Sequence, residues 1–397
     1  MKTEGLIAES EKYIAATYAR HPLVLTEGRG CKVWDSEGKE YLDFVSGIAV
    51  CNLGHCHPRI VEAIQNQAKK LIHVSNFYHI EPQIELARLL VKNSFGDRVF
   101  FCNSGAEANE AAIKLARKYA KENIGENKFE IITMKDSFHG RTMATITATG
   151  QERFQKGFSP LLSGFKYTAF NDKSALSNVL SDNTCAIMLE PIQGEGGVNC
   201  PSRDYLKVIR KICDERGILL IFDEVQVGMG RTGKLFAYEN YGVKPDIMTL
   251  AKALGGGVAI GAMVAREEIA KSFSPGSHAS TFGGNPLACA AGVAAITSLL
   301  EDNILDNCQK MGKYLFSRLS VLKEKYPFIK DLRGKGLIIG LELEFEGARV
   351  VSECIKKGCL INCTMGNILR FLPPLIVTEE EVSQMVNTLD DVFSSII

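Results

Sequence analysis

Three apolar runs in this chain end on groups that could do chemistry. DIMTLA closes on Lys252, with Ala253-Leu254-Gly255-Gly256-Gly257 behind it. GILLIF closes on Asp223-Glu224, and VFFC closes on Asn103-Ser104-Gly105-Ala106. A lysine between a buried strand and a flexible glycine run can be a desolvated amine with a lowered pKa, able to condense with a carbonyl. An acid that follows buried apolar residues is costly unless it meets a cation or water. Glycine at a turn before a helix lets backbone N–H groups approach a ligand, and the helix start adds partial positive charge, which suits phosphate. Each feature alone has a plainer explanation: Lys252 and Asp223 as a salt bridge at a sheet edge, Ser104 as an N-cap without a ligand. Together they offer a phosphate seat, a carboxylate and an amine.

The elements that must position these groups follow from the apolar pattern. From about Val99 onward, VFFCN, FEIITM, CAIMLEP, GILLIFDE and DIMTLAK read as strands that alternate with helices. Short continuous apolar runs suit parallel strands covered on both faces. The expected fold class is α/β, a mostly parallel open sheet whose ligands bind beyond the carboxyl ends of the strands. After Gly105, Ala108, Ala111, Ala112, Leu115, Ala116 and Tyr119 share one helix face. Upstream, residues 31–45 predict two short strands around Asp35-Ser36-Glu37-Gly38. Pro58 opens a helix that carries Ile60, Val61, Ile64 and Leu71. Beyond Leu300 the segments LRGKGLIIGLELE and CLINCTMGNILRFLPP predict a small α+β unit. A last helix starts at Thr378, with Glu381 at capping-box spacing, and its apolar face is Val382, Met385, Val386, Leu389 and Phe393. The expected organisation is a large domain over 47–290, with 1–46 and 291–397 forming a smaller domain together.

Composition narrows the function classes. The 46 basic and 46 acidic residues cancel, so no overall field draws the chain to nucleic acid or to an anionic membrane. With 46% hydrophobic and 23% charged residues, the chain has the make-up of a soluble globular protein. Twelve cysteines without a Cys-x-x-Cys pair, several in apolar runs, point to a reducing, cytoplasmic compartment. The first residues mix charges through their apolar positions and show no signal-peptide core. The uncharged run Leu287–Leu300 falls short of the ~20 residues that span a bilayer and predicts a buried helix. Gly228-Met229-Gly230-Arg231-Thr232-Gly233 matches G-x-G-x-x-G, with Asp246 further on, which would suit a nicotinamide-dependent dehydrogenase. The strand before it ends at Asp223, however, and KLFAYENYG opens no amphipathic helix. His55-Cys56-His57 lacks a second cluster at ligand spacing, so no metal site is expected.

One cofactor uses all three groups at the strand ends. Pyridoxal 5'-phosphate has a phosphate to seat, an aldehyde that reacts with lysine, and a ring nitrogen that an acid keeps protonated. Around these residues the chain resembles the class III (ω-amino acid) aminotransferases of the fold-type I pyridoxal phosphate enzymes. The matching segments include GIAVCNLGHCHP, SNFYHIEPQIELA, FCNSGAEANEAAIKLAR, DSFHGRTMATITATGQERFQKGF, LEPIQGEGGV, LLIFDEVQVGMGRTGKLFAYENYGVKPDIMTLAKALGGG, STFGGNPLACAA and ILRFLPPL, in family order over residues 47–375. The resemblance implies that Lys252 carries the cofactor and that Asp223 faces the pyridine nitrogen. It implies further that Gln226 bonds the ring hydroxyl, that Gly105 and Ala106 hold the phosphate beside Ser104, and that Phe138 stacks on the ring. Thr281 would reach the phosphate in the other subunit of a homodimer.

The resemblance also implies a reaction, in which the ω-amino group of N2-acetylornithine passes to 2-oxoglutarate, giving glutamate, by a ping-pong route that serves arginine synthesis. Arg141 would bind the distal carboxylate of the substrate, and Arg370 the α-carboxylate of 2-oxoglutarate or glutamate. Glu195 would cover Arg370 while an ω-amine reacts and swing away for the keto acid; a permanent Glu195–Arg370 ion pair is the alternative. Ile48 stands where related ornithine aminotransferases are expected to carry a tyrosine for the free α-amine, which favours an N-acylated donor. His139 would line the same pocket, and Ser280 would touch the substrate. Succinylornithine, acetyllysine, ornithine and 4-aminobutyrate are the competing donors.

Overall fold

A computed structural model describes residues 3–396. Its central sheet has seven strands in the spatial order Arg98–Cys102, Gly261–Ala265, Ile247–Leu250, Leu219–Asp223, Thr184–Leu189, Glu130–Met134 and Phe165–Thr168. Neighbours run parallel except Gly261–Ala265, which is antiparallel to the strands on both sides. Successive residues of a strand face opposite sides. Accordingly Ile132, Ile187, Leu220, Phe222 and Met248 enter one core, while Ile131, Met188, Ile221 and Ile247 enter another across the sheet. Both faces are covered, which is why these strands read as unbroken apolar runs.

Two strands of the central sheet have no counterpart in the sequence expectations. Phe165–Thr168 is a half-buried edge strand, FKYT, too short and mixed to register as an apolar run. Gly261–Ala265 is GAMVA, poor in β-formers, and is held by pairing on both sides. A Cβ on Gly261 would collide with the Ser104 carbonyl, so this strand presses against the turn of the expected phosphate seat.

The two ends of the chain meet in a second sheet. Leu25–Arg29, Lys32–Asp35 and Glu40–Asp43 form an antiparallel set, and Cys359–Leu360 joins it parallel to Glu40–Asp43. A third, antiparallel sheet holds Ile329–Lys335, Ile338–Leu343, Ile368–Phe371 and Asn362–Thr364. The helix Glu379–Ile396 starts from a capping box: Thr378 Oγ1 accepts from the Glu381 N–H at 3.2 Å, and the Glu381 carboxylate accepts from the Thr378 N–H at 2.8 Å. Its face Val382, Met385, Val386, Leu389 and Phe393 is fully buried.

One expectation needs correction. The helix from Pro58 stops at Ala68, so Leu71 lies outside it and is exposed; the consecutive lysines 69 and 70 interrupt the apolar stripe. The helix Pro286–Glu301 runs straight through 290 and 291, where the large domain was expected to end. We propose the division at Asn303, where φ is 56° and the next helix turns away by 67°. The run Leu287–Leu300 lies within that helix and is largely buried. Among the described residues no single helix is long and apolar enough to cross a membrane.

The glycine-rich stretch Gly228–Gly233 serves packing. Between its glycines Arg231 is fully buried, donating to the carbonyl oxygens of Leu337 (2.9 Å) and Pro373 and to the side-chain oxygen of Asn52. Burial pushes its pKa down to about 10. One guanidinium thus ties an early loop to two late segments of the chain. Asp246 is committed elsewhere, accepting from Arg210 and from the Leu220 N–H, both at 2.8 Å. Replacing Arg231 with leucine leaves buried carbonyls unpaired, and we expect a loss of about 3 kcal/mol in stability. Denaturant unfolding of the variant checks this, and an unchanged midpoint would contradict it.

Candidate active site

A cavity of about 420 Å³ opens at the carboxyl ends of the central strands. Asp223, the last residue of its strand, is one wall of it and is buried. Its Oδ2 accepts from Asn109 Nδ2 at 2.7 Å and pairs with His139 Nδ1 at 2.8 Å, while Oδ1 accepts from the Val225 N–H at 3.0 Å. Asn109 is fixed in turn: its Oδ1 accepts from the Thr249 hydroxyl at 2.7 Å, and its amide also donates to the His139 carbonyl at 2.7 Å. A buried carboxylate is tolerable when it is satisfied in this way. These partners, and not Lys252, are the ones Asp223 holds among the described residues.

Lys252 sits just past the strand Ile247–Leu250 and also lines the cavity. Its φ of 46° is left-handed, which costs a lysine roughly 1–3 kcal/mol and marks a position held by its surroundings. Enclosure pushes the amine down to about 8, the Arg370 charge adds to this, and Asp223 works against it. The ammonium form still dominates near physiological pH, but a minor fraction of the amine is neutral there, far more than for an ordinary lysine.

The turn after Arg98–Cys102 completes this side of the cavity. Ser104 caps the helix Gly105–Asn123, its Oγ accepting from the Glu107 N–H at 3.2 Å, while Glu107 accepts from the Asn103 N–H at 2.7 Å. The N–H groups of Gly105 and Ala106 belong to the first turn, where no intrahelical acceptor exists. A side chain on Gly105 would put its Cβ 2.7 Å from Val225 Cγ1, so the turn must come this close to the Asp223 loop.

The opposite wall is built around Glu190. Its Oε2 accepts from the Phe138 N–H at 3.0 Å and its Oε1 from the Gly194 N–H at 3.1 Å. Burial pushes this carboxyl up to about 7, with His139 opposing the shift. Glu190 fixes the segments that carry Phe138 and Glu195, and sequence reasoning overlooked it. The signal was present, because Glu190 follows the apolar strand Thr184–Leu189 directly, the position that singled out Asp223. Asn109 was also missed; it is the polar interruption on an alanine-rich helix face. Phe138 and the exposed Arg141 line the cavity, and the Arg141 guanidinium lies 5.5 Å from the Phe138 ring and 4.1 Å from that of Phe154.

Arg370 is one residue before the end of Ile368–Phe371 and is only 1% exposed. It pairs with Glu195 at 3.1 Å, and its Nη1 donates at 3.3 Å to Oε1 of Gln226, which lines the cavity. With its carboxamide oxygen turned toward the guanidinium, Asn362 accepts from Nη2 at 2.8 Å. Burial holds Arg370 below the ordinary guanidinium value, and Glu195 offsets part of that.

Other expected residues lie apart. Ile48 is exposed on a left-handed turn in which Ser46, Gly47, Ile48 and Ala49 take φ of 45°, 64°, 62° and 60°; Val50, just beyond, lines the cavity. Ser280 and Thr281 line a separate space of about 790 Å³ together with Ser75 and Phe77. The Ser280 hydroxyl accepts from Asn103 at 3.1 Å, and Asn103 borders the first cavity. His55 pairs with Asp43 at 2.7 Å, a hydrogen bond that pushes its pKa up to about 10.

Residues 13–393 match the family described as Aminotransferase class-III. The acetylornithine aminotransferase of Caldanaerobacter subterraneus subsp. tengcongensis is 58% identical over 98% of this chain and 100% of its own. Among solved structures, the acetylornithine aminotransferase of Elizabethkingia anophelis is 37% identical with a TM-score of 0.89, over 99% of each chain. An ornithine aminotransferase of Toxoplasma gondii, crystallized with oxidized glutathione and showing partial occupancy of PLP at its active site, is 36% identical with a TM-score of 0.95, over 99% of this chain and 94% of that one.

Proposed function

Because the chain belongs to the class-III aminotransferases, we propose that its cavity takes pyridoxal 5'-phosphate and that the enzyme moves the ω-amino group of N2-acetylornithine to 2-oxoglutarate. The residues present fit this cofactor. A fixed carboxylate (Asp223), an amine with a lowered pKa (Lys252) and unpaired first-turn N–H donors (Gly105, Ala106) meet in one cavity. Lys252 would hold the aldehyde carbon, Asp223 the ring nitrogen, Gly105 and Ala106 the phosphate beside Ser104, Phe138 a ring face and Gln226 the ring hydroxyl. When bound, the cofactor supplies an electron sink for the carbon that bears the reacting amine.

The chain's own groups do the remaining work. Lys252 Nζ, displaced by the donor amine, takes the proton from the substrate carbon and returns it on the other side of the transfer, which a pKa of about 8 permits. Arg141 binds the carboxylate remote from the reacting amine. The observation that carries the choice of chemistry is Glu195 seated on Arg370 at 3.1 Å beside the cavity. An ω-amine places no carboxylate next to its reacting carbon, so an uncovered Arg370 would face apolar atoms. For 2-oxoglutarate the same arginine must be open. A charge-assisted pair can be exchanged for a substrate carboxylate of like geometry, so one site serves both partners.

A homodimer and a cytoplasmic setting belong to the same proposal. Thr281 lies outside the cavity on a face where Phe77 is 90% and Phe282 60% exposed, which supports a second copy covering that face and Thr281 reaching its phosphate. The twelve cysteines are all unpaired, which suits a reducing compartment.

Overall shape does not separate acetylornithine from ornithine as donor, since both kinds of relative superpose well. Identity of 58% along the whole chain favours the acetylated donor. Steady-state turnover with acetylornithine, succinylornithine, acetyllysine, ornithine and 4-aminobutyrate tests this. Acetylornithine should give the highest kcat/KM; ornithine or 4-aminobutyrate ahead by about tenfold or more would overturn the assignment.

A further inference from the structure

Glu195 does not face Arg370 alone. While Oε2 lies 3.1 Å from Arg370, Oε1 lies 4.0 Å from Nη2 of Arg153, on the short helix Glu152–Gln155. We propose that Arg153 is a positioning residue that holds the Glu195 carboxylate whenever a substrate carboxylate takes its place on Arg370. The inference rests on the transamination proposed above and names where the displaced acid goes.

The backbone around Glu195 is fixed, so the displacement must be a side-chain rotation. Gln193 and Asn199 exchange two backbone hydrogen bonds at 3.0 Å across the loop, and the Thr364 hydroxyl donates to the Glu195 carbonyl. On either side, Gly194 and Gly196 come so close to Gln226 and to the Asp136 carbonyl that a Cβ would collide. The carboxylate can therefore reach only what lies within the sweep of one side chain. Arg153 is already there, and Glu195 is its acidic partner among the described residues.

Arg153 is held in readiness. Its Nε and Nη2 both donate to Gln151 Oε1, at 3.1 and 2.8 Å, and its guanidinium lies 4.6 Å from the centre of the Phe154 ring. Gln151 is buried and donates to the Ser137 carbonyl at 3.0 Å, next to Phe138. A guanidinium anchored this way loses little freedom when it receives a carboxylate.

Charge counting gives the arrangement its logic. Acetylornithine brings one carboxylate, for Arg141, and leaves Glu195 to Arg370. Glutamate or 2-oxoglutarate brings two, for Arg141 and Arg370. Without a third cation, the displaced Glu195 would sit unpaired beside an incoming like charge, which opposes binding. Arg153 supplies that cation and so sets the balance between the two substrates. Because Arg153 is 48% exposed, the expected effect is modest.

The test follows each half-reaction of the holoenzyme separately, through the absorbance of its bound cofactor, for wild type, Arg153→Gln and Arg153→Lys, and for the first two again in a Glu195→Gln background. Arg153→Gln should lower kcat/KM for 2-oxoglutarate relative to that for acetylornithine by about fivefold, mostly through KM. Arg153→Lys should restore most of the ratio. In the Glu195→Gln background, Arg153→Gln should shift the ratio by less than about twofold. Equal losses in both half-reactions would overturn the proposal in favour of a merely structural arginine. A ratio shift that persists without Glu195 would overturn it in favour of direct substrate contact. A wild-type enzyme inert toward acetylornithine would instead remove the substrate assignment, and this inference with it.

Discussion

Lys252→Ala should lower turnover with acetylornithine and 2-oxoglutarate by at least ~10³-fold and leave the fold in place. In the proposed roles two contributions would disappear together: the covalent seat for the cofactor and the amine that carries the proton. Positioned proton transfer alone is worth about 10²–10⁴-fold. Among the described residues the neighbouring acids cannot substitute for it, because Asp223 is locked to His139 and Asn109, and Glu190 to two backbone N–H groups. Alanine at a φ of 46° gains no backbone relief, so a change in stability would come from the cavity wall and be small. Borohydride reduction followed by peptide mapping should mark the peptide containing residue 252 in the wild type and nothing in the variant. Lys252→Arg is the sharper control. It keeps the charge and most of the length, but a guanidinium stays protonated near neutrality, so this variant should fail as well. Turnover within about tenfold of wild type in either variant would remove Lys252 from the chemistry.

How much of this was legible in the residues depended on where each contact comes from. The strands at Glu130–Met134, Thr184–Leu189, Leu219–Asp223 and Ile247–Leu250 were readable because both of their faces are buried, which leaves an apolar run with no polar alternation. Gly261–Ala265 was not, since small residues carry little pattern and its place is fixed by neighbours distant in sequence. The same contrast divides the site. Asp223, Lys252 and Ser104 announce themselves by following apolar runs. Glu190 does so too and was passed over, whereas His139 and Asn109 gain their meaning only from the carboxylate they converge on. The Glu195–Arg370 contact joins a loop of one sheet to a strand of another, and no local spacing encodes it; it came from the resemblance. Ser280 and Thr281 line a space separate from the cavity, and the part proposed for Thr281 would need a second copy, which no spacing within one chain can reveal.

Asp223→Asn should lower kcat by about 10²-fold or more while KM changes far less, because in its proposed place at the ring nitrogen the carboxylate would act most strongly when charge develops on the ring. The substitution is nearly isosteric, which allows charge to be separated from packing. An asparagine oxygen can still accept from Asn109 and pair with His139, at the positions where Oδ2 now lies 2.7 and 2.8 Å from them. The amide then turns its NH₂ toward the Val225 N–H, where Oδ1 now accepts at 3.0 Å, so one hydrogen bond is lost. That costs about 1 kcal/mol of stability, enough to shift a melting curve slightly but not to unfold the chain. Asp223→Ala is different: it strands the buried donors of Asn109 and His139 as well, at about 1–3 kcal/mol each, and should be visibly less stable. A second readout comes from Lys252. The Asp223 charge favours the ammonium form of its neighbour, so its loss must move the amine pKa below its present value of about 8. In the cofactor-free protein, titration of the 252 amine by pH-dependent chemical labelling should therefore shift to lower pH in Asp223→Asn. Turnover within about threefold of wild type, with an unshifted titration, would show that the carboxylate charge is not what this position provides.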